Sequence, residues 1–295
     1  MAKPRDFIDR EEEIKLFKKI LAGAIPERVL ALIIKPQQGK TYLMQCFQEV
    51  CHQQRIPVAL VDFDTRQRGI VYYWKLARQV CDDLGSDNFP ELDECEKRLY
   101  SDFPSIVQTG LGRGNTHFGT KGHFEEADFD RISGRDQIDI HDVYYAYFAQ
   151  EQSAARQERL KHDLGRALRS GLARMCRQHC VVLLLDTYEQ ANREARSWID
   201  EWVLDPLLDR YPKLVVVIAG RPELYDYLNR SRPWINLVHL REEVSSPRED
   251  DIRQYVEIHG LVVPGDEIRS FVKAGMYDIS VLGKLRDIYK RCPHG

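Results

Sequence analysis

The sequence predicts an α/β fold: a three-layer arrangement in which helices cover both faces of a five-stranded, mainly parallel sheet, followed by a helical subdomain. Three observations predict it. Apolar runs of strand length recur along the chain, segments of helical periodicity alternate with them, and only helical patterns follow the last run. A strand that is apolar at nearly every position is covered on both faces, as in a parallel sheet with helical crossovers.

Each element has its own signal. Asp9–Leu21 reads as a helix, with Ile14, Phe17, Ile20 and Leu21 on one face and Arg10, Glu11, Glu12, Lys15 and Lys18 on the other. Val29–Ile34 is a wholly apolar strand, and Thr41–Gln53 a helix. Pro57–Phe63 is the second strand and Ile70–Leu84 the next helix, with Trp74, Leu76 and Val80 inside. Arg156–His179 is a long amphipathic helix feeding a third strand, Cys180–Leu185. Ser197–Leu208 is helical, Lys213–Ala219 is the fourth strand and Trp234–Leu240 a shorter fifth. Helical patterns then cover Pro247–His259, Gly265–Ala274 and Ile279–Arg291. The first opens with Pro247 and the acids Glu249 and Asp250, the chemistry of a helix N-terminus. Between Pro104 and Asp142 glycines are frequent and aliphatics few, the composition of an insert or mobile loop.

Composition narrows the classes of function. With 295 residues, 43% hydrophobic and 30% charged, the chain can bury a sizeable core. A net charge of −3 gives no field that would draw nucleic acid or an anionic membrane. No apolar run approaches bilayer-spanning length and no leader-like segment opens the chain, so a cytoplasmic protein is expected. Seven cysteines are scattered without a framework. Cys176 and Cys180, with His179 between them, lack a second ligand pair and read as thiols of the core rather than a zinc site.

The chemistry begins where the first strand ends. Pro36-Gln37-Gln38-Gly39-Lys40-Thr41-Tyr42 follows that strand and opens a helix, as the tail of a phosphate-binding loop does. In such a loop the Gly lets backbone N–H groups close round phosphate, the Lys neutralises it and the Thr hydroxyl can hold Mg²⁺. Ile34 and Gln37 occupy positions where the usual pattern has glycine, and Gly-Lys-Thr alone also occurs in surface turns. A phosphate loop needs a second acid on a neighbouring strand. The apolar run Val181–Leu185 ending in Asp186 supplies it. Glu189, three residues on, either polarises an attacking water or is a helix-start carboxylate. Arg221, after the fourth strand, either contacts a γ-phosphate or pairs with an acid such as Asp186 or Glu223.

Taken together, Phe7-Ile8-Asp9-Arg10-Glu11-Glu12-Glu13, the Gly39-Lys40-Thr41 loop, Leu185-Asp186-Thr187-Tyr188-Glu189 and Ala219-Gly220-Arg221-Pro222 resemble the STAND class of AAA+-related P-loop NTPases, signalling and defence-type ATPases. The resemblance implies a P-loop domain over 1–245, with 104–142 as insert, and a helical lid over 246–295. It implies ATP or ADP with Mg²⁺. Lys40 would contact the β- and γ-phosphates, Thr41 and Asp186 would hold the metal, and Arg221 would sense the third phosphate. Phe7, Ile8 and Arg10 would line the adenine. Gly275-Met276-Tyr277-Asp278 stands where the family often places a proline against the base. The chain ends before a winged-helix or repeat sensor domain, as expected of either a fragment of a larger switch or a minimal one.

The expected function is a switch ATPase with slow hydrolysis, acting on a protein partner or effector and leaving room for a nucleotide-dependent oligomer. The alternatives are a degenerate, non-hydrolysing nucleotide-binding scaffold that recruits partners and, disfavoured by charge, a nucleic-acid-handling ATPase. Lys40→Ala is expected to cost nucleotide binding without costing stability.

The composition of Pro104–Asp142 generates a first prediction. Too few aliphatics are present to offset the entropy of ordering it. Limited proteolysis is expected to cut first within this stretch and to leave the remainder competent for nucleotide titration. Protection throughout would mean that the stretch is packed.

Overall fold

A computed structural model describes residues 10–34, 39–63, 70–101, 154–228, 232–242, 249, 253, 256–257 and 263–273. In chain order the elements are α1 (Glu11–Leu21), β1 (Val29–Ile33), α2 (Lys40–Gln53), β2 (Val58–Asp62), α3 (Ile70–Leu84), α4 (Pro90–Ser101), α5 (Ala154–Gln178) and β3 (Val181–Asp186). Then follow α6 (Arg193–Ile199), α7 (Asp205–Leu208), β4 (Leu214–Gly220), α8 (Leu224–Leu228), β5 (Val238–Arg241) and α9 (Gly265–Lys273). A π-helical turn, Asp200–Leu204, joins α6 to α7.

The strands form one parallel sheet in the order β2-β3-β4-β1-β5. The order dictates the layers. The crossover from β1 to β2 runs one way across the sheet, and every later crossover runs the other way. Right-handed crossovers that move in opposite directions put their helices on opposite faces. Strand periodicity agrees. Leu30, Leu32, Val182, Leu184, Val215 and Val217 face α1 and α2 through Phe17, Leu43, Met44 and Phe47. Val29, Ala31, Leu183, Val216 and Ile218 face the opposite core, which holds residues of α3, α5, α6 and α7. β1, β3 and β4 are buried at every position, which accounts for their uniformly apolar sequence. Each large aliphatic buried there stabilises by about 1.5–3 kcal/mol. At the β2 edge, the Leu60 N–H is satisfied by the Asp83 carboxylate of α3 at 2.9 Å, which blunts an otherwise open strand edge.

Several boundaries differ from expectation. α6 starts at Arg193, ahead of the expected Ser197, because the Asn192 side chain accepts the Ala195 N–H at 2.7 Å and caps it. β5 starts at Val238 rather than Trp234, since Ile235–Leu237 forms a 3₁₀ turn and the Trp234 indole donates to Asp205 at 2.9 Å. α4 was not anticipated, although Pro90 in its first turn followed by Glu91 and Asp93 is a helix-start signature. The Pro104–Asp142 stretch lies outside the described residues, as do most of Pro247–His259 and all of Ile279–Arg291. Of the expected helical lid, α9 is described, close to the expected Gly265–Ala274. The six described cysteines form no disulfide with one another, with Cys176 buried and Cys180 half-buried, and no metal-binding group of three or more His, Cys, Asp or Glu occurs among the described residues. Among those residues no helix is long and apolar enough to cross a membrane.

α5 lies close enough to its neighbours to require glycine twice. A Cβ on Gly165 would come within 2.3 Å of the Trp202 ring, and one on Gly171 within 2.1 Å of the Phe89 ring. In a helix interior Ala is favoured over Gly by about 1 kcal/mol, whereas overpacking a core costs about 1–3 kcal/mol. Phe89 is fully buried, so its ring has nowhere to move. Gly171→Ala is therefore expected to lower the urea midpoint with an unchanged m-value. An equal or higher midpoint would show that α4 and α5 can separate at no cost.

Candidate functional site

The site is built at the C-terminal edge of the sheet, where β4 lies between β1 and β3. Strand spacing places the tips of β1 and β3 about 10 Å apart. The side chains that follow them must therefore meet over the tip of β4, which is Gly220, paired with Ile33 in the register. A Cβ on Gly220 would lie 3.0 Å from Glu189 Oε2 and 2.9 Å from Leu224 Cδ2. The bare tip of β4 is what lets these groups converge.

From the β1 side, Gly39 turns the chain into α2 with φ of +79°, a conformation that glycine adopts without strain. Lys40 begins the helix. Its ammonium lies 3.7 Å from Asp186 Oδ1 and 3.5 Å from Glu189 Oε2. The first turn of α2 carries no acid, and helix geometry leaves its first N–H groups without intrahelical partners. That end is thus electropositive.

From the β3 side, Asp186 is buried to 1% exposure. Its Oδ1 accepts the Thr187 N–H at 2.7 Å, while Oδ2 is buried without a hydrogen-bond partner. Burial pushes the carboxyl above its ordinary 3.8. The Thr41 hydroxyl, Lys40 and the Thr187 N–H pull it back, and the neighbouring Asp62 adds to the rise. Thr187 has φ of +56° and ψ of 34°. A β-branched residue in the left-handed region carries strain of about 1–2 kcal/mol. The strain falls in the turn that swings Glu189 back over β4.

Glu189 connects the two sides. Its Oε2 accepts the Arg221 backbone N–H at 3.2 Å, and its Oε1 lies 3.2 Å from Arg221 Nε. Glu189 is almost fully buried, whereas the Arg221 side chain is about half-exposed. One carboxylate thus faces both Lys40 and Arg221.

Of the expected site residues, Gly39, Lys40, Thr41, Asp186, Glu189 and Arg221 converge here. Tyr42, on α2, and Arg10, at the start of α1, lie elsewhere, both beside Cys46. Burial raises the Cys46 thiol, while a hydrogen bond from Tyr42 and the charge of Arg10 oppose the rise. Arg10 is itself buried at the start of α1. Phe7, Ile8, Pro36, Gln37 and Gln38 lie outside the described residues. Arg221 pairs with an acid, and that acid is Glu189 rather than Asp186 or Glu223. The expectation that Lys40→Ala leaves stability intact needs correction. Lys40 is a counter-charge to two buried carboxylates, so its truncation leaves Asp186 without that cation and Glu189 with Arg221 alone, and costs stability as well. Gly220, Thr187 and Asp62 were not anticipated as parts of the site. Only the Gly directly ahead of Arg221 offered a signal in the sequence.

No protein-family model matches the chain, and no curated protein matches it.

The raised Asp186 carboxyl has a consequence for stability. The folded state holds the proton more tightly than the unfolded chain. Stability from this group is therefore fully present below 3.8 and is lost as pH rises through the higher folded value. At about pH 7 the buried carboxylate is a cost that a neutral amide lacks. Without added ligand, Asp186→Asn is expected to melt above wild type at neutral pH. The difference should shrink on acidification and vanish below the unfolded value. A lower melting point at neutral pH would show that attraction to Lys40 outweighs desolvation.

Proposed function

We propose that the chain is a nucleotide-binding regulatory switch of the P-loop type, taking ATP and ADP with Mg²⁺ and hydrolysing ATP slowly within a signalling or defence system. The observation that carries this reading is the convergence of Lys40, Asp186, Glu189 and Arg221 over the bare tip of β4. The position supports it too. β1 and β4 are neighbours whose connections leave for opposite faces, and ligands of open parallel sheets bind outside the strand ends at such a point.

The residues fit the chemistry of a nucleoside triphosphate. Lys40 and the first N–H groups of α2 would neutralise and cradle phosphate. Asp186 Oδ2, buried without a partner, and the Thr41 hydroxyl beside it are hard oxygen donors suited to Mg²⁺. Two protein donors match the way Mg²⁺ is usually held, with phosphate and water oxygens completing the shell. The metal would supply charge neutralisation between phosphates. Glu189 would orient water, and Arg221 would stabilise charge on the transferred group. The lid over 246–295 would close on the triphosphate, with protein partners reading its position.

One observation favours a second reading, the non-hydrolysing scaffold. Glu189 Oε2 accepts the Arg221 N–H and faces Lys40, and Oε1, without a hydrogen-bond partner, is ion-paired with the Arg221 guanidinium, so the carboxylate serves as a bridge between the two cations.

The test is a Mg²⁺-dependent titration of ATP, ADP and GTP against wild type, Lys40→Ala and Arg221→Ala. Lys40→Ala is expected to abolish triphosphate binding. Arg221→Ala should weaken ATP more than ADP, by about 1–3 kcal/mol or roughly 5- to 150-fold. Equal loss for both nucleotides would remove Arg221 as a sensor. No binding by wild type would remove the nucleotide reading altogether.

A further inference from the structure

Behind the site lies a polar chain buried in an otherwise apolar core. Tyr188, directly ahead of Glu189, is fully buried, and its hydroxyl lies 3.1 Å from that of Tyr227. The Tyr227 hydroxyl donates to Asp200 Oδ1. Each phenol has one proton, so the Tyr188 hydroxyl is the donor to Tyr227. Asp200 Oδ2 is in turn paired with Arg232, whose guanidinium stacks 3.8 Å over the Tyr227 ring. Arg232 Nε also donates to the Tyr227 carbonyl at 3.3 Å.

The placement of these groups suggests what they do. Tyr188 lies in the 3₁₀ turn that presents Glu189. Tyr227 lies in α8, a five-residue helix whose Leu224 N–H is accepted by the Arg221 carbonyl at 2.9 Å. Asp200 opens the π-helical turn, an interruption of regular helix often found at functional sites. The tyrosine pair therefore ties the turn bearing Glu189 to the short helix that follows Arg221. Burial raises the pKa of both phenols, so both hydroxyl protons stay in place. Such a chain is costly unless every member is satisfied, and here each hydroxyl and both Asp200 oxygens have partners.

We propose that Tyr188 and Tyr227, anchored by Asp200 and Arg232, are positioning residues that set the Glu189–Arg221 contact and through it the preference of the site for a third phosphate. The second half of this statement rests on the nucleotide reading; the first half does not. Neither tyrosine reaches the site itself. They act by fixing the loops after β3 and β4 relative to each other.

The experiment uses the full chain with Tyr188→Phe and Tyr227→Phe, which keep the rings and remove the hydroxyls. Tyr188→Phe is the milder variant, since it leaves the Tyr227–Asp200–Arg232 contacts intact, and it serves if Tyr227→Phe fails to fold. Hydrogen exchange is read first on protein alone. The Arg221 amide, which donates to Glu189, is expected to exchange at least tenfold faster while amides in the middle of β3 and β4 are unchanged. Unchanged exchange at Arg221, or protection lost evenly across both strands, would overturn the positioning role. Titration with Mg²⁺-ATP and Mg²⁺-ADP is read second. The ratio of the two affinities is expected to fall at least threefold. A preserved ratio alongside a loosened Arg221 amide would overturn the link to phosphate selectivity. If wild type binds neither nucleotide, the nucleotide reading fails, and the exchange data still decide the first half.

Discussion

Two carboxylates, Asp186 and Glu189, are buried at the end of a parallel sheet with one ammonium, Lys40, between them, and the site depends on that arrangement. A buried carboxylate without compensation would take up a proton. Three features keep this pair near one cation. The strand order puts β1 and β3 on opposite sides of β4, and α2, which follows β1, packs against β2 and β3 and so brings Lys40 to the end of β3. Gly220 leaves the crossing open. The strained Thr187 turn directs Glu189 back over the gap. Loss of any one of them separates charges that are tolerable only together.

The rest of the fold holds that edge rigid. The alternating faces of β1, β3 and β4 are filled by two separate cores, one under α1 and α2 and the other under α3 and α5–α7. Packing on both faces leaves the strand ends as the places where polar groups can gather. The same logic explains the polar chain through Tyr188, Tyr227, Asp200 and Arg232. It runs along the boundary between sheet and helices, where loops leave the strand ends, and each member is satisfied by the next. Stability there is exchanged for geometry: an apolar filling would pack as well but would not link the two loops.

The sequence by itself determined the parallel sheet, the helices between its strands and the identity of most polar groups at its edge. Strand burial on both faces demands unbroken apolar runs, and Val29–Ile34, Val181–Leu185 and Leu214–Ala219 display them without any partner in view. Local chemistry also announced Gly39-Lys40-Thr41 and Asp186, because a tight turn into a helix and an acid at a strand tip each need particular residue types. The helix at Pro90–Ser101 was not anticipated, although its first turn carries a helix-start signature.

Only the tertiary structure decided what these groups touch. Nothing near Glu189 in the chain indicates that it bridges Lys40, 149 positions away, and Arg221, 32 positions away. That pairing follows from β4 lying between β1 and β3, and strand order is a non-local property that no local pattern encodes. The start of α6 and the late start of β5 were likewise decided by side-chain contacts, Asn192 on Ala195 and Trp234 on Asp205. Gly220 shows the division most plainly. In the sequence it is a glycine at the end of an apolar run, and in the fold it is the place where a side chain would crowd the Glu189 carboxylate and Leu224, because the needed space belongs to neighbours that only folding brings near.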